Sequence, residues 1–428
     1  MVLYDSSKTA TLMNVTLKNL AGTTTTTDGA TADGLTVAED LSNFVQCGQV
    51  MYNALTNNPS LFFNTVTNML ETVADIYYEL MSSEGYKLNA YDLQVSRGEF
   101  ACLKEKVRIN PENFEAAFVL DGSGNSSFND MFAKHPFTFN VKVWGNKGIY
   151  RTKPFSISYE MLKTSVQSVA SYERLIAAMW ATIDAVMEIA VSESPYFLIR
   201  QQIANAAMYR NGVRVCNLAA RYKAETGADL TAIDDPSFSA WFIRAQRYDR
   251  MLMRKATNKF SGKSTLKMNT PERLEKKFLI QEFYDLINAG LAGIYHDNKI
   301  GNLDDYELEP YIQNINEPKT LSVVPANPPI LTSGKHVTNV TFNGTIVGMV
   351  WDKRGTFWTT EYKKVAANEN TFDDHVNYIS TVAAQHCVDE DSNVIVYVID
   401  TTKTGGTLNK GYTITEESDE ESDDNAET

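Results

Sequence analysis

The side chains best placed to act together in this sequence are the basic residues of one short segment. Between Arg244 and Lys277 there are eleven Lys or Arg residues and three acidic residues, in a chain whose formal net charge is −14. Arg244, Arg247, Arg250 and Arg254 follow three- and four-residue spacing, which places them on one face of a helix. Such a face binds phosphate groups or the carboxylates of another protein surface.

Three interpretations of this basic face are compatible with the sequence. The face binds phosphate, as in contacts with nucleic acid, or it is an ordinary solvated face, or it meets acidic surfaces on a neighbouring subunit. No aromatic stacking platform and no known nucleic-acid module accompanies the charges. We therefore favour a solvated face or a contact between subunits over phosphate binding.

Two loop-like segments carry partial ligand-binding motifs. The segment SGKST, residues 261–265, ends like a phosphate-binding loop, but Thr257 stands where that loop needs a glycine, and a basic helix precedes it instead of a strand. The segment DGSGNSSFND, residues 121–130, begins with EF-hand spacing. Ser126 occupies the required glycine position and Phe132 the required glutamate position. The sequence therefore predicts neither a nucleotide site nor a calcium site.

Histidine and cysteine spacing gives no sign of a metal centre. The histidines are His135, His296, His336, His375 and His386, and the cysteines are Cys47, Cys102, Cys216 and Cys387. Neither set has the close spacing of a metal site. The cysteines are predicted to be buried, reduced thiols, as is typical of a cytoplasmic folding compartment.

A local nucleophile is not apparent either. His386 and Cys387 are adjacent, but neighbours on a strand point to opposite faces, and no G-x-S-x-G motif is present. We predict no catalytic, cofactor-binding or metal-binding residue and no cofactor. Catalytic partners can still meet through the fold without a local motif.

The segment MVWDKRGTFWTTEY, residues 349–362, places a charged triplet directly after an apolar run. Asp352, Lys353 and Arg354 lead into Gly355, and an aromatic stretch then follows. No His or Ser close by completes a catalytic set. We interpret the triplet as a structural turn between two strands.

Length and composition narrow the class of protein. The chain has 428 residues, 43% hydrophobic and 21% charged, as in a soluble globular protein of roughly two or three domains. Eight carboxylates and no basic residue lie between Glu416 and Glu427, so the rest of the chain is mildly acidic. No signal peptide is expected. The most apolar helical segment, residues 175–191, contains Asp184 and Glu188 and is too charged to span a bilayer.

The first part of the chain is predicted to contain an arm, two helices and a strand-rich excursion. Residues 1–40 are polar and Thr-rich and cannot bury enough apolar surface to fold alone, which indicates an extended arm or a flexible leader. Helices are predicted at 36–55 and from about 60 to 81. From about 87 to 156, β-branched and aromatic enrichment predicts a long two-stranded excursion with a turn-rich tip at 121–130.

One long helix is the strongest element of the second part. Apolar residues repeat at helical spacing over residues 168–193, about 39 Å at 1.5 Å per residue. Pro195 is expected to end or kink it, and helix resumes over 196–208. Further helices are predicted at 237–259 and at 271–289, the latter with Thr270 as N-cap and Pro271 at its first position. Residues 321–398 are predicted to form strands, with a polar break at 368–375.

This order of elements resembles the tailed-bacteriophage major capsid protein family with the HK97-type fold. One segment that carries the resemblance is RTKPFSISYEMLKTSVQSVASYERLIAAMWATIDAVMEIA, residues 151–190, where a strand, a short helical turn and a long "spine" helix follow one another. The other is GTIVGMVWDKRGTFWTTEYKKVAANENTFDDHVNYISTVAAQHCVDEDSNVIVYV, residues 344–398, which is similar to the last strands of the peripheral domain, with DKRG as their turn. Within the family, the small Phi29-like podovirus type is one candidate.

The resemblance implies an α+β chain with an HK97-like capsid fold. The implied parts are an N-terminal arm and helices at 1–84, an extended β-hairpin loop (E-loop) at 85–157, the spine helix of a peripheral domain at 158–210, an axial domain at 211–325, closing peripheral strands at 326–401 and a disordered acidic tail at 402–428. The acidic tail is outside the family pattern. We expect it to face outward, because an inward-facing tail would repel packaged DNA.

The implied function is that of a non-catalytic major head protein. Such a protein self-assembles into hexamers and pentamers of the icosahedral shell that encloses double-stranded DNA. The implied partners are further copies of the chain, a scaffolding protein, a portal and head-decoration proteins, with DNA as non-specific content and no membrane. The implied location is the virion capsid, after assembly in the host cytoplasm.

Three other interpretations remain open at this point. An encapsulin-like cellular compartment shell has the same fold and differs in its cargo and in lacking packaging machinery. An enzyme with a site between the central domain and the closing strands differs by turning over a substrate. A nucleic-acid-binding module on the Arg244 face predicts salt-dependent DNA binding by the unassembled subunit.

Overall fold

A computed structural model describes most of the chain. The described residues are 9–10, 12–14, 17, 37–38, 41–57, 61–84, 93, 104–109, 139–144, 146–262, 268–292, 303, 305–313, 319–330, 334–370 and 375–417. Several features singled out from the sequence lie outside them. These are the turn-rich segment 121–130, Cys102, His135, His296 and residues 418–428.

The described residues form a mixed α+β protein. The helices are α1 (Phe44–Asn57), α2 (Leu61–Glu84), α3 (Tyr159–Ser165), α4 (Val169–Met208), α5 (Leu218–Thr226), α6 (Pro236–Arg254) and α7 (Gln281–Ala292). The strands are β1 (Lys104–Ile109), β2 (Phe139–Trp144), β3 (Asn146–Arg151), β4 (Phe155–Ser158), β5 (Val215–Asn217), β6 (Glu275–Ile280), β7 (Glu307–Glu309), β8 (Leu321–Val323), β9 (Val337–Phe342), β10 (Thr345–Asp352), β11 (Thr356–Asn370), β12 (His375–Val388), β13 (Val394–Ile399), β14 (Lys403–Thr404), β15 (Thr407–Leu408) and β16 (Tyr412–Glu416).

Helix α4 connects the two halves of the molecule. It has 40 residues, about 60 Å at 1.5 Å per residue, and contains Pro195, which was expected to end or kink it. Proline removes one backbone hydrogen bond, but tertiary packing stabilises the helix on both sides of it. The first half, including Ile176 and Ile183, packs in an N-terminal core, and the second half, including Leu198 and Ile203, packs in a central core.

The composition of α4 also bears on membranes. The segment Val169–Gly212 is long and apolar enough to cross a bilayer. However, half of its most apolar 18-residue stretch is buried inside the fold. Core helices of soluble proteins have the same properties. The helix is therefore weak evidence for a membrane span.

The N-terminal core joins α1, α2 and α3 to the first half of α4. Phe44 of α1 packs on Tyr172, with ring centroids 5.5 Å apart, and the Tyr159 hydroxyl donates to the Leu55 carbonyl at 2.6 Å. The described residues of segment 9–17 are helical, and Leu12 and Leu17 are buried in this core. The prediction of an extended or flexible leader is therefore wrong for these residues, because they find apolar partners in the fold.

A long antiparallel sheet covers one side of this core. Strand β12 pairs along its length with β11 and, on its other edge, with β3 and β4. Strands β1 and β2 pair antiparallel only with each other among the described strands, from Lys104 opposite Trp144 to Ile109 opposite Phe139. The strand-rich excursion predicted from the sequence is thus a hairpin whose second strand leads directly into β3.

The central core is built on a five-stranded sheet of order β5-β13-β10-β6-β7. Alternate side chains of β13 lie on opposite faces of this sheet. Val394, Val396 and Val398 pack toward the second half of α4. Ile395 and Tyr397 pack toward α5, α6 and α7. Because both faces are covered, the strand is apolar almost throughout.

The helix predicted at 271–289 requires correction. Residues 275–280 form β6, which pairs antiparallel with β10 and parallel with β7, and helix begins only at Gln281. Phe278 and Leu279 pack on opposite faces of the sheet, so pairing in a central strand outweighs local helix preference. Thr270 is not an N-cap, since its hydroxyl donates to the buried Asp352 carboxylate at 2.9 Å.

The domain boundary predicted near residue 326 also does not match the division of the strands between the sheets. Strands β10 and β13 belong to the central sheet, whereas β11 and β12 belong to the long sheet. The segment 326–401, which was predicted to close the peripheral domain, therefore contributes strands to two different sheets. A single linear boundary cannot describe them, because the central sheet takes its strands from segments far apart in the sequence.

The end of the described chain is ordered structure, contrary to the prediction of disorder over 402–428. Strands β14 and β15 form a small hairpin, and β16 pairs with β9 in a three-stranded sheet of order β16-β9-β8. Tyr412 and Ile414 of β16 pack against the central core. These apolar residues precede the acidic run and give the strand a surface to bury.

Candidate functional site

Helix α6 positions the four arginines that the sequence predicted to share a face. Asp235 caps the helix by accepting a hydrogen bond from the Ser237 N–H at 2.8 Å, and Pro236 begins its first turn. Phe238 and Phe242 are fully buried against the central sheet and its helices. This apolar side fixes the helix and leaves its other side at the surface.

The four arginines divide into two pairs. Arg244 and Arg247 are exposed, whereas Arg250 is 6% exposed and Arg254 is half-buried. Each three-residue step falls short of a full helical turn by about 60°. Two such steps carry Arg250 round to the edge of the sheet, so the prediction of one shared face is wrong for this residue.

Arg250 and Arg254 bind carboxylates of their own chain. Arg250 is ion-paired with Glu275 through Nε and with Asp305 through Nη2 at 3.0 Å. Arg254 pairs with Glu272 at 2.7 Å, and Glu275 lies 3.5 Å from the same nitrogen. These two arginines tie α6 to β6, so they are not available to a ligand or a neighbour.

The other side of α6 forms an exposed stripe. It consists of Arg244, Arg247, Tyr248, Met251 and, just beyond the helix, Lys255. Tyr248 is 55% exposed and Met251 is 60% exposed. Within the described part of the chain, the three cationic side chains make no hydrogen bond or ion pair. The stripe can therefore bind anionic groups, with an aromatic and a thioether side chain beside the charges.

A carboxylate lies near one end of the stripe. Burial opposes ionisation of Glu225, but hydrogen bonds from Arg221 and Trp241 lower its pKa, and the charge of Arg244 adds to this effect. Glu225 is already paired with Arg221 at 2.8 Å. The cation of Arg244 thus retains its capacity for another partner.

Sequence spacing gave no sign of a second charged cluster beneath α6. Arg221 of α5 pairs with the fully buried Asp249 at 2.6 Å, and Lys259 lies 3.6 Å from the other oxygen of this carboxylate. Cys216 lies beside Arg221, and burial raises the pKa of its thiol to about 11. The cluster locks α5 to α6 and holds an unreactive, protonated thiol.

The described residue set closest to a catalytic arrangement is a buried polar cluster of Tyr150, Ser194 and His386. The Nε2 atom of His386 lies 3.0 Å from the Ser194 hydroxyl and 3.3 Å from the Tyr150 hydroxyl, and the two hydroxyls are 3.1 Å apart. The three residues come from α4, β12 and β3. Only folding brings them together, since Ser194 and His386 are 192 residues apart.

The environment of this cluster favours a structural role. Ser194 is fully buried and His386 is 2% exposed, which leaves no access for a substrate. Burial lowers the pKa of His386 to about 4, so the ring is neutral at physiological pH. Both hydroxyls contact the same ring nitrogen, and among the described residues no carboxylate is hydrogen-bonded to the other nitrogen to orient the ring as a triad requires. The cluster ties the strand after the hairpin to the long helix.

The charged triplet after β10 is a turn, as predicted. Asp352 is fully buried and caps the 3-10 turn Lys353–Gly355, accepting from the Arg354 N–H at 2.9 Å. The Arg354 guanidinium returns to the same carboxylate at 2.6 Å and donates to the Asn269 carbonyl at 2.7 Å. All of these groups are used in holding the β10–β11 connection.

Other residues singled out in the sequence, Gly262, Cys47 and Cys387, are used in packing or buried. A side chain at Gly262 of the SGKST segment would meet the Glu390 carbonyl at 2.0 Å, so this glycine permits a close backbone contact. Cys47 and Cys387 are buried, and neither forms a disulfide. Among the described residues, no group of three or more His, Cys, Asp or Glu side chains is arranged to hold a metal ion.

Comparisons with known proteins give matches among solved structures alone: no protein-family model matches the chain, and no curated protein does. The capsid structure of Staphylococcus phage Andhra is similar over 73% of this chain and 84% of that one, at 10% identity and a TM-score of 0.43. The structure of head fiber and inner core protein gp22 of native bacteriophage P68 is similar over 72% and 83%, at 10% identity and a TM-score of 0.44. The satellite phage P4 procapsid including size determination (Sid) protein is similar over 75% and 98%, at 8% identity and a TM-score of 0.29.

Proposed function

We propose that this chain is a major capsid protein, which self-assembles into the icosahedral shell around the double-stranded DNA of a tailed bacteriophage. The observation that carries the proposal is the β1–β2 hairpin, whose strands pair only with each other among the described strands.

An isolated two-stranded hairpin is marginally stable in water. The hairpin leads into β3, which is fixed on the edge of β12 by backbone pairing from Arg151 to Asn146. A pair of strands with no further strand partner in the described part of the chain, next to a well-paired strand, is expected when a neighbouring copy supplies the remaining partner surface. Interlocking subunits provide such a surface, and enzymes working as monomers do not need one.

The exposed side of α4 supports the same proposal. Ile189 is 47% exposed and Phe197 is 36% exposed, and small residues, Ala177, Ala181 and Ala185, lie exposed along the helix before them. Single exposed apolar residues are common, but a series along one helix is typical of a surface that another molecule covers. A shell subunit has many such contacts, each of which can be weak.

Within this proposal, the part built on the long sheet and the part built on the central sheet take the roles of the family's two domains. The first half of α4 with the long sheet acts as the peripheral domain, and the central sheet with α5, α6 and α7 acts as the axial domain. Assembly then gives hexamers and pentamers in the host cytoplasm and places the chain in the virion capsid. The protein has no catalytic role, and the Tyr150–Ser194–His386 cluster serves the fold.

The partners we propose are further copies of the chain and accessory head proteins. We propose that this shell assembles with a scaffolding protein, a portal and head-decoration proteins. Packaged DNA is then a non-specific content.

The experiment that tests the proposal is electron microscopy of the purified protein, with light scattering on the same sample. Uniform hollow shells, or rings of six and five copies, are the expected result. If the protein is monomeric alone, co-expression with a scaffolding protein from the same source is expected to give procapsids. A protein that stays monomeric under both conditions contradicts the proposal.

Nucleic-acid binding is the second candidate, and the three unpaired cations of the exposed stripe favour it. It predicts that the unassembled subunit binds DNA with an affinity that falls steeply as salt is raised. The Arg244→Glu, Arg247→Glu double variant would then lose binding. Fluorescence anisotropy with labelled duplex DNA distinguishes the cases, since unchanged binding by the variant removes this candidate.

A further inference from the structure

We propose that the exposed stripe of α6 binds the acidic segment, residues 416–428, of a second copy of this chain. The inference deepens the proposed function and rests on it, because it names a contact between copies of a self-assembling subunit. It also assigns a role to the acidic segment.

Charge complementarity identifies the occupant. The stripe presents Arg244, Arg247 and Lys255, which have no ion pair in the described part of the chain. The acidic segment has the sequence EESDEESDDNAET and contains eight carboxylates and no basic residue. Guanidinium and carboxylate groups form strong charge-assisted hydrogen bonds, often in bidentate pairs. The hydroxyl of Tyr248 adds a further donor for a carboxylate.

The position of the two partners favours a second copy over the same chain. Strand β16 ends at Glu416, and Tyr412 and Ile414 pack in the core that contains the second half of α4. Helix α6 packs on the opposite face of the central sheet. The described chain therefore reaches Glu417 on one side of the sheet, and the stripe of the same copy lies on the other.

Complementary charges on opposite sides of one domain suit head-to-tail assembly. In such an arrangement a surface of one copy meets a different surface of the next, and the repeat closes into a ring when the rotation permits. The eleven residues after Glu417 span up to about 36 Å when extended. This reach allows the segment of one copy to lie along the neighbour's stripe, which is about three helical turns long, or about 16 Å.

The composition of the stripe fits a contact with protein. Tyr248 and Met251 are more than half exposed between the cations, and tyrosine, methionine and arginine are enriched in protein interfaces. An acidic segment attached to the same subunit also competes with DNA for these cations. Both features favour a carboxylate-rich peptide over a phosphate backbone.

Zero-length coupling by carbodiimide tests the proposal, because it joins an amine to a carboxylate only at direct contact. The amine of Lys255 is already in the stripe, and the Arg247→Lys variant adds a second amine there. Full-length protein is assembled from an equal mixture of ¹⁵N-labelled and unlabelled copies, coupled, digested and analysed by mass spectrometry. We expect peptides that join the stripe to residues 416–428 and that contain one labelled and one unlabelled partner.

Two further variants and a control make the result specific. The Arg244→Glu, Arg247→Glu double variant and a chain ending after Glu417 are each expected to lower the yield of Lys255 cross-links to acidic-segment peptides at least tenfold. The Arg174→Lys variant places an amine on the exposed side of α4 and is expected to give no such cross-link.

The outcomes separate this inference from the proposed function, since electron microscopy is performed on the same samples. Shells or rings without these cross-links overturn the inference and leave the capsid proposal standing. Cross-links only within one chain, or only from the stripe to Glu225, also overturn it. A monomeric protein without cross-links, with and without a scaffolding protein, overturns both.

Discussion

Buried polar side chains determine much of what individual positions in this protein tolerate. His386, Asp352 and Glu275 are all nearly inaccessible to water, and each has its partners on another element of the fold. A buried charge or hydrogen-bonding group is costly when it loses a partner, whereas an exposed ion pair contributes little. This difference gives two predictions at the scale of single residues.

The first prediction concerns acid sensitivity. The folded pKa of His386, about 4, lies below its ordinary value of 6.5, so the unfolded chain takes up the proton first as the pH falls. This residue therefore leaves stability unchanged above pH 6.5 and decreases it between pH 6.5 and 4. The loss reaches up to about 3 kcal/mol, at about 1.4 kcal/mol per pKa unit.

Urea unfolding followed by tryptophan fluorescence at a series of pH values measures this effect. The His386→Gln variant removes the titrating ring, and all carboxylates remain common to both proteins. We expect the stability of the natural chain to fall more steeply between pH 6.5 and 4 than that of the variant. Parallel curves for the two proteins would be inconsistent with a buried neutral histidine.

The second prediction uses two glutamates that differ in burial. The Glu275 side chain is 1% exposed and neutralises Arg250, whereas the Glu272 side chain is 69% exposed and pairs with Arg254. Glu275→Gln leaves a buried arginine short of a partner and is expected to cost about 3–5 kcal/mol. Glu272→Gln, the matched control, is expected to cost less than about 1 kcal/mol. Equal losses in urea unfolding would contradict this assignment.

The sequence predicted the contacts between neighbouring residues but not those between residues far apart in the chain. The Asp352 turn was predictable, because the residues that form it are adjacent to one another. The Ser194–His386 contact was not, because it depends on how β12 crosses α4. Arg250 was placed on the wrong face, since side-chain spacing alone does not say where the sheet ends.

At the scale of elements, packing decided the cases in which local preference was ambiguous. Helix α4 was predictable from its periodicity, and it continues through Pro195 because both halves bury apolar residues. Strand β6 was mistaken for helix because Thr270 and Pro271 imitate a helix start. Its alternation of Phe278 and Leu279 across a covered sheet is a tertiary property that short sequence windows do not reveal.

The contact of α1 with the C-terminal end of α3 gives a prediction at this scale. Gly48 lies in the middle of α1, where alanine normally improves helix stability by about 0.5–1 kcal/mol. A methyl group there would lie 2.0 Å from the Val166 carbonyl oxygen, which belongs to the backbone. We therefore expect Gly48→Ala to destabilise the protein, by about 1–3 kcal/mol.

Thermal or urea unfolding measures this change, with Gln49→Ala as the control on the exposed side of the same helix. The control is expected to change stability by less than about 0.5 kcal/mol. A gain in stability from Gly48→Ala would mean that α1 does not pack against the end of α3 in this way.

At the scale of the whole molecule, several surfaces of the chain have no partner in the described part of a single copy. Strands β1 and β2 have no further strand partner in the described part of the chain, and one side of α4 exposes apolar residues. The basic stripe and Glu417, which precedes most of the acidic run, lie on opposite sides of the central sheet. Each of these features is explained by neighbours of the same kind. The order of elements in the sequence already indicated such a protein, but the division of its last strands between two sheets required the fold.

The most direct test of this account is a cryo-electron-microscopy map of the assembled protein that resolves the β1–β2 hairpin. We predict that the hairpin lies against a neighbouring copy and that its strands keep the pairing from Lys104–Trp144 to Ile109–Phe139. A hairpin that packs back on its own subunit, in a particle without repeated copies, would contradict the claim that this chain is a shell subunit.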